Sequence, residues 1–326
     1  MPFCTDIFYR QYNGVKEGVG FPVLLIHGGG GTHMGWPSDL RRLPDQNVIA
    51  IDLPGHGLSK LPACLTLDGL LERLTGFISC MGFYQVILIG FSLGGALALT
   101  FTHRYPLRVK KLALISCGDR FVVPDGIMRH LRPPADTVKA AEIFSQAAFH
   151  PKMTPAFRRK IIEPLHGINP AILAADFHIG RNFRAPAPEK KHKNPLLVIG
   201  GTDDQITPPQ SLRLLTSFSV NSHVELIPAA GHMVIYEKTN QVRDLLVERH
   251  VLRAAEPHEH VGETHEGAGL LLAEDRRQLP ERLGRVDERQ AQSPLVRHPR
   301  PQRGQRSRGG QLIQAGEHRW AEPPPR

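Results

Sequence analysis

Three side chains that could act together stand in the order Ser92, Asp204, His232. Ser92 sits inside Gly90-Phe91-Ser92-Leu93-Gly94, directly after the apolar run Val86-Ile87-Leu88-Ile89. The small-residue run Gly95-Ala96-Leu97-Ala98-Leu99 follows. This pattern predicts a strand, a sharp turn and a helix. Glycines must flank such a turn, because it strains the serine backbone and draws neighbouring chain close. The turn would lift a hydroxyl to the strand end, where helix N-terminal amides could meet a developing oxyanion. Taken alone, these five residues also fit a glycine-rich turn with a bystander serine.

Three further segments favour the chemical reading. Val23-Leu24-Leu25-Ile26 runs into His27-Gly28-Gly29-Gly30-Gly31, whose unobstructed backbone N–H groups suit the second half of an oxyanion hole. No Gly-Lys-Ser/Thr follows, which excludes a Walker phosphate loop. Val48-Ile49-Ala50-Ile51 runs into Asp52-Leu53-Pro54-Gly55-His56-Gly57-Leu58-Ser59. Finally, Leu196-Leu197-Val198-Ile199 delivers Gly201-Thr202-Asp203-Asp204, and a later short run ends at Gly231-His232-Met233.

Together these motifs, over residues about 7–250, resemble the α/β-hydrolase fold, and within it the single-domain esterase, carbon–carbon hydrolase and cofactor-free perhydrolase branch. The resemblance implies roles. Ser92 would be the nucleophile, His232 its base, and Asp204 the acid that orients the imidazole. The amides of Leu93 and Gly29 would form the oxyanion hole. No metal and no organic cofactor are implied. His27 would support the glycine loop, and His56 would be structural. Asp203 and Asp119 are rival acids, but the Gly-x-x-Asp spacing from Gly201 selects Asp204. Phe91 and Met233 are candidates for the substrate pocket or for the core.

A carboxylic-ester hydrolase working through an acyl-serine is the expected activity, with a small-molecule ester or other acyl compound as substrate. Hydrolysis of a carbon–carbon bond in a diketone-type substrate is the alternative, since it reuses the same three groups. A serine nucleophile argues against haloalkane dehalogenases and epoxide hydrolases, which use aspartate there. Two other classes stay open: a non-catalytic ligand-binding member, and a nucleic-acid binder acting through an arginine-rich tail.

These residues need a scaffold. Mostly continuous apolar strands are expected at Phe21–His27, Val48–Asp52, Gln85–Gly90, Lys111–Ser116, Leu196–Gly200 and His223–Pro228, after a hairpin strand at Ile7–Asn13. Helices are expected at Thr66–Met81, Gly94–Tyr105, Pro209–Ser219 and Thr239–Leu252. Strand–helix alternation of this kind predicts an α/β fold with a mostly parallel, doubly wound sheet. Residues about 118–194 break the alternation. They are proline-punctuated, with helices expected at Thr137–Phe149, Ala156–Leu165 and Ala171–Phe177, and form a cap over the site.

Composition bounds the rest. The 326 residues are 41% hydrophobic, enough for a large core, and hold no run of 18 apolar residues for a membrane span. The formal charge of +9 falls largely in the cap, which has 13 basic and 7 acidic residues. Such a surface could attract carboxylates, an acyl-CoA or an acidic acyl carrier. Cys4, Cys64, Cys80 and Cys117 make no metal-spaced cluster, so reduced thiols in a cytoplasmic protein are expected. Residues 1–253 would form the hydrolase domain. Residues 254–326 lack Lys, Phe, Tyr, Cys and Met, and carry 12 Arg against 11 acids. They read as a disordered low-complexity tail of the kind a shifted reading frame yields, and nucleic-acid binding by it is disfavoured by the near balance of charge.

Overall fold

Val23–Ile26, Val48–Ile51, Val86–Phe91 and Leu196–Gly201 are buried at every residue. A strand covered on both faces has no polar side to alternate with, so it reads as a continuous apolar run. In the computed structural model, which describes residues 3–12, 20–60 and 66–248, these runs form the centre of one eight-stranded sheet. Cys64, the 254–326 tail and the end of the expected Thr239–Leu252 helix lie outside the described residues.

The strands are β1 (Phe3–Cys4), β2 (Ile7–Tyr12), β3 (Val23–Ile26), β4 (Val48–Ile51), β5 (Val86–Phe91), β6 (Val109–Ile115), β7 (Leu196–Gly201) and β8 (Ser222–Ile227). Their spatial order is β1-β2-β4-β3-β5-β6-β7-β8. β1 and β2 pair antiparallel, β2 joins β4 antiparallel, and all remaining pairs are parallel. The chain leaves β3 for β4 on one side and later returns to β5 on the other. That reversal opens a crevice at the carboxyl ends of β3 and β5. The glycine loop after β3 and the turn after β5 therefore sit side by side.

The helices are α1 (Ser38–Arg41), α2 (Leu67–Cys80), α3 (Leu93–Arg104), α4 (Asp125–His130), α5 (Thr137–Ala148), α6 (Pro155–Ile162), α7 (Pro170–Asn182), α8 (Pro209–Leu214), α9 (Val234–Glu237) and α10 (Thr239–Glu248). Local chemistry sets several starts. Thr66 caps α2 by accepting from the Gly69 N–H at 3.2 Å, and Asp136 caps α5 through the Lys139 N–H at 2.8 Å. Thr154 and Asn169 cap α6 and α7, each followed by a proline at the first helical position. α3 differs, having no side-chain cap at Ser92.

The cap is α4–α7, inserted between β6 and β7. The short α4 was not expected from the sequence, and the expected Pro209–Ser219 helix stops at Leu214 and tightens into a 3-10 turn, Leu215–Ser217. The described residues all lie within one compact unit, Met1–Glu259, and none of their helices is long and apolar enough to cross a membrane.

The expectation of reduced cysteines is corrected. Cys4 and Cys80 form a disulfide with their Cα atoms 6.0 Å apart. β1 folds back on β2 and lays Cys4 against the last turn of α2, a proximity that sequence spacing does not encode. Cys117 is free and buried, packed where a Cβ on Gly95 would collide with it, and burial pushes its thiol far above the ordinary range. It is a packed side chain and not a reactive one. The disulfide closes a loop of 76 residues. Cys4→Ser is therefore expected to lower unfolding stability by about 2–4 kcal/mol. An unchanged midpoint in urea titration of non-reduced wild type and variant would contradict this.

Candidate active site

Ser92 adopts φ 52° and ψ −117° between β5 and α3. Its amide donates to Ile115 O at 2.9 Å, and its carbonyl accepts from Gly95 N at 2.8 Å. The flanking glycines are dictated by space. A Cβ on Gly90 would collide with the Gly94 carbonyl, and one on Gly94 with the Ile26 carbonyl. The turn thus presses α3 against the end of β3 and leaves the Ser92 hydroxyl standing clear.

His232 lies on the loop after β8 and is 1% exposed. Its carbonyl accepts from Ser116 Oγ at 2.7 Å, and the next amide, Met233 N, donates to Ala148 O at 3.0 Å. The imidazole is thereby placed with Nε2 2.8 Å from Ser92 Oγ and Nδ1 3.0 Å from Asp204 Oδ2. An ionised carboxylate only accepts, so in a neutral imidazole paired this way Nδ1 carries the proton and Nε2 offers its lone pair to the serine hydroxyl. Asp204 is itself held by the Ile206 and Thr207 amides, both 2.8 Å from Oδ1. The rival acids are placed elsewhere. The Asp203 side chain is 41% exposed and accepts from Thr202 Oγ1, while Asp119 accepts from Ser211 Oγ at 2.6 Å.

Gly29 and Leu93 line the same cavity as Ser92 and His232. Their neighbours' amides are taken: Gly30 N donates to Asp176 Oδ2 at 2.7 Å, and Gly31 N to Gly28 O at 3.0 Å. The Gly29 and Leu93 amides donate to no protein acceptor among the described residues. Two backbone donors are thus left for a ligand at the end of β3 and the start of α3.

His27 braces this loop. Its Nε2 accepts from Leu53 N at 2.9 Å, and its Nδ1–H donates to Gly28 O at 2.7 Å. Burial, with the nearby charge of His56, lowers its pKa to about 3, so it stays neutral. His56 goes the other way. Burial pulls it down, but its 2.8 Å bond to Asp176 Oδ2 and the charges of Asp176 and Asp52 raise it overall.

Asp176 escaped the sequence reading. It lies on α7, reaches over the glycine loop and lines the cavity, 5% exposed. One signal could have found it: the buried stripe Ile172, Leu173, Asp176, Ile179, Gly180 of α7 places an acid on an otherwise apolar face. The rest of the wall is mostly apolar, with Phe121, Val123, Ile127, Phe144, Phe177 and Ile206. Among the described residues no Lys or Arg lines it. The cavity itself measures about 50 Å³ and opens to solvent. Phe91 and Met233, the pocket candidates from sequence, are not part of this wall. They are 7% and 8% exposed and pack in the apolar core with Trp36 and Val234, the Phe91 ring centred 5.8 Å from the His232 imidazole and tilted to it.

The model of the alpha/beta hydrolase family matches residues 23–245. A 2-hydroxy-6-oxo-2,4-heptadienoate hydrolase of Pseudomonas putida F1 is 26% identical, over 68% of this chain and 86% of its own. A 2-hydroxymuconate semialdehyde hydrolase of Pseudomonas sp. CF600 is also 26% identical, over 71% and 87%. Among solved structures, a thermophilic esterase from Thermogutta terrifontis superposes with a TM-score of 0.64 at 25% identity, over 75% of this chain and 93% of its own.

The raised pKa of His56 has a stability consequence. A group raised in the folded state stabilises it fully below the unfolded value, about 6.5, and loses that contribution as pH climbs through the folded value. Asp176, Asp52 and His27 are the titratable groups that face it. Wild type should therefore exceed Asp176→Asn in urea midpoint most at pH 6, with the gap narrowing by pH 9. A gap that stays constant would contradict the pairing.

Proposed function

The chain belongs to the alpha/beta hydrolase family, and from that premise we propose that it is a serine hydrolase of carboxylic esters. The observation that carries the reading is the unbroken line from Ser92 Oγ to His232 Nε2 at 2.8 Å and from Nδ1 to Asp204 Oδ2 at 3.0 Å. In this reading Ser92 attacks the ester carbonyl as His232 takes its proton. The carbonyl oxygen, now an anion, accepts from the Gly29 and Leu93 amides, each worth about 3–4 kcal/mol at the transition state. Collapse expels the alcohol, protonated by His232, and leaves an acyl-serine. Water, activated by the same imidazole, releases the acid.

A second reading, cleavage of a carbon–carbon bond, draws support from the two Pseudomonas relatives, which are named for such substrates. Both of those named substrates carry a carboxylate. Among the described residues the cavity offers Asp176 and no Lys or Arg, so an anionic substrate would meet no cationic side chain there. That balance favours a neutral ester. The basic excess of the cap, including Arg129, Arg132 and Arg181 around one surface hollow, lies apart from this lining and supports only a general attraction for anionic donors such as an acyl-CoA. A cytoplasmic setting was expected from reduced thiols, and the Cys4–Cys80 bond removes that support.

A panel of p-nitrophenyl esters of rising chain length, run beside a vinylogous diketone, should show hydrolysis of the esters above the diketone. Ser92→Ala should lower kcat by a factor on the order of 10⁶. Asp204→Asn should cost roughly 10⁴, while Asp203→Asn costs little. Full activity in pure Ser92→Ala enzyme, or reversal of the two aspartate effects, would overturn the assignment.

A further inference from the structure

The carboxylate of Asp176 is used on one side only. Oδ2 accepts from His56 Nε2 at 2.8 Å and from Gly30 N at 2.7 Å. Oδ1 accepts from no protein donor among the described residues, although the side chain is 4% exposed and lines the cavity. A carboxylate oxygen carries two lone pairs, and this one is open to the cavity with no protein donor to meet them. Nothing about holding the glycine loop needs that second oxygen. An apolar residue at this point would match the remaining wall of Phe121, Ile127, Phe144 and Phe177 better.

Position narrows the ligand. A Cβ built on Gly29 would stand 3.1 Å from Asp176 Cβ, so the acid abuts the residue that offers its amide to the reacting carbonyl. A group meeting Oδ1 must then lie within a few bonds of that carbonyl. Charge narrows it further. His56 already compensates the acid, its tendency to hold a proton strengthened by the pairing. A neutral donor suits such a compensated carboxylate within an apolar wall better than an ammonium group, and a second carboxylate is repelled.

We infer that Asp176 makes the cap side of the cavity a subsite for a hydroxyl group near the carbonyl, so that the enzyme selects short 2- or 3-hydroxyacyl esters over plain acyl esters. This rests on the ester reading above. Asp176 is the specificity-determining residue, with the hydroxyl donating to Oδ1.

The test compares ethyl 2-hydroxybutyrate, ethyl 3-hydroxybutyrate, ethyl butyrate and monoethyl succinate by acid release in wild type, Asp176→Asn and Asp176→Leu. The quantity read is the ratio of kcat/KM values within each protein, which removes any general loss from disturbing Gly30. Wild type should favour one hydroxy ester over butyrate about ten-fold, the scale of one hydrogen bond to a carboxylate. The ratio should fall to about one in Asp176→Leu, with Asp176→Asn between, and succinate should gain relative to butyrate in both variants. The same esters are titrated calorimetrically into Ser92→Ala, which reads selectivity without turnover. Hydrolysis of butyrate and hydroxy esters at equal rates by wild type would overturn the subsite and leave the ester reading standing. Selective binding without hydrolysis of any ester would overturn the ester reading and leave the subsite. If Asp176→Leu does not fold, an unchanged ratio in Asp176→Asn overturns the subsite by itself.

Discussion

A serine held at φ 52° is a strained serine, since its Cβ crowds the adjoining peptide groups at a cost of about 1–3 kcal/mol. Such strain persists only where the surroundings leave no alternative. Here β5 feeds the residue from below, α3 begins immediately after it, and its amide is fastened to Ile115 of β6. Gly90 and Gly94 let the two arms of the turn touch, and Gly95 lets α3 settle against Cys117. The same contact sets α3 against the end of β3, which brings the Gly29 and Leu93 amides to one cavity. Relaxing the turn would move the hydroxyl off the His232 line and part these amides. The order of strands, the glycines and the uncapped start of α3 are all consequences of keeping this one residue in place.

The cap contributes as much as the sheet to completing the site. The end of α5 fixes the histidine loop, with Ala148 O accepting from Met233 N, and Glu237 bridges Gly231 N and His150 N. α7 fixes the opposite loop through Asp176, which ties Gly30 to His56. Both loops that serve Ser92 are thus braced from above by helices inserted between β6 and β7. The apolar wall and the geometry of the reacting groups are properties of one packed unit, so changes in the cap should be felt at the chemistry as well as in substrate choice.

The core of this arrangement was legible in the sequence because each part has a local cause. Val23–Ile26 and Val86–Ile89 are apolar throughout because both faces are covered, and the glycines around Ser92 are forced by contacts within a few residues or with the next strand. Asp204 was separable from Asp203 because one turn, closed by the Ile206 and Thr207 amides, points only the second acid inward. Features that depend on distant partners were not legible. The Cys4–Cys80 bond needs β1 to fold against α2 across 76 residues. The pocket wall needs the cap docked on the sheet, so Phe121, Phe144 and Phe177 carry no local signal, and Phe91 and Met233 read equally as pocket or core. Asp176 meets His56 across 120 positions, and no motif announces it.

In the proposed reading the strained turn and the His232–Asp204 couple make one serine hydroxyl a nucleophile. A fluorophosphonate reports on that directly, because it bonds covalently to an activated serine and stays there. Intact-mass and peptide mass spectrometry of the labelled protein should show one adduct per chain, on the peptide that contains Ser92, with labelling lost in His232→Ala. Labelling at another serine, or labelling of Ser92 that proceeds equally fast without His232, would contradict the account.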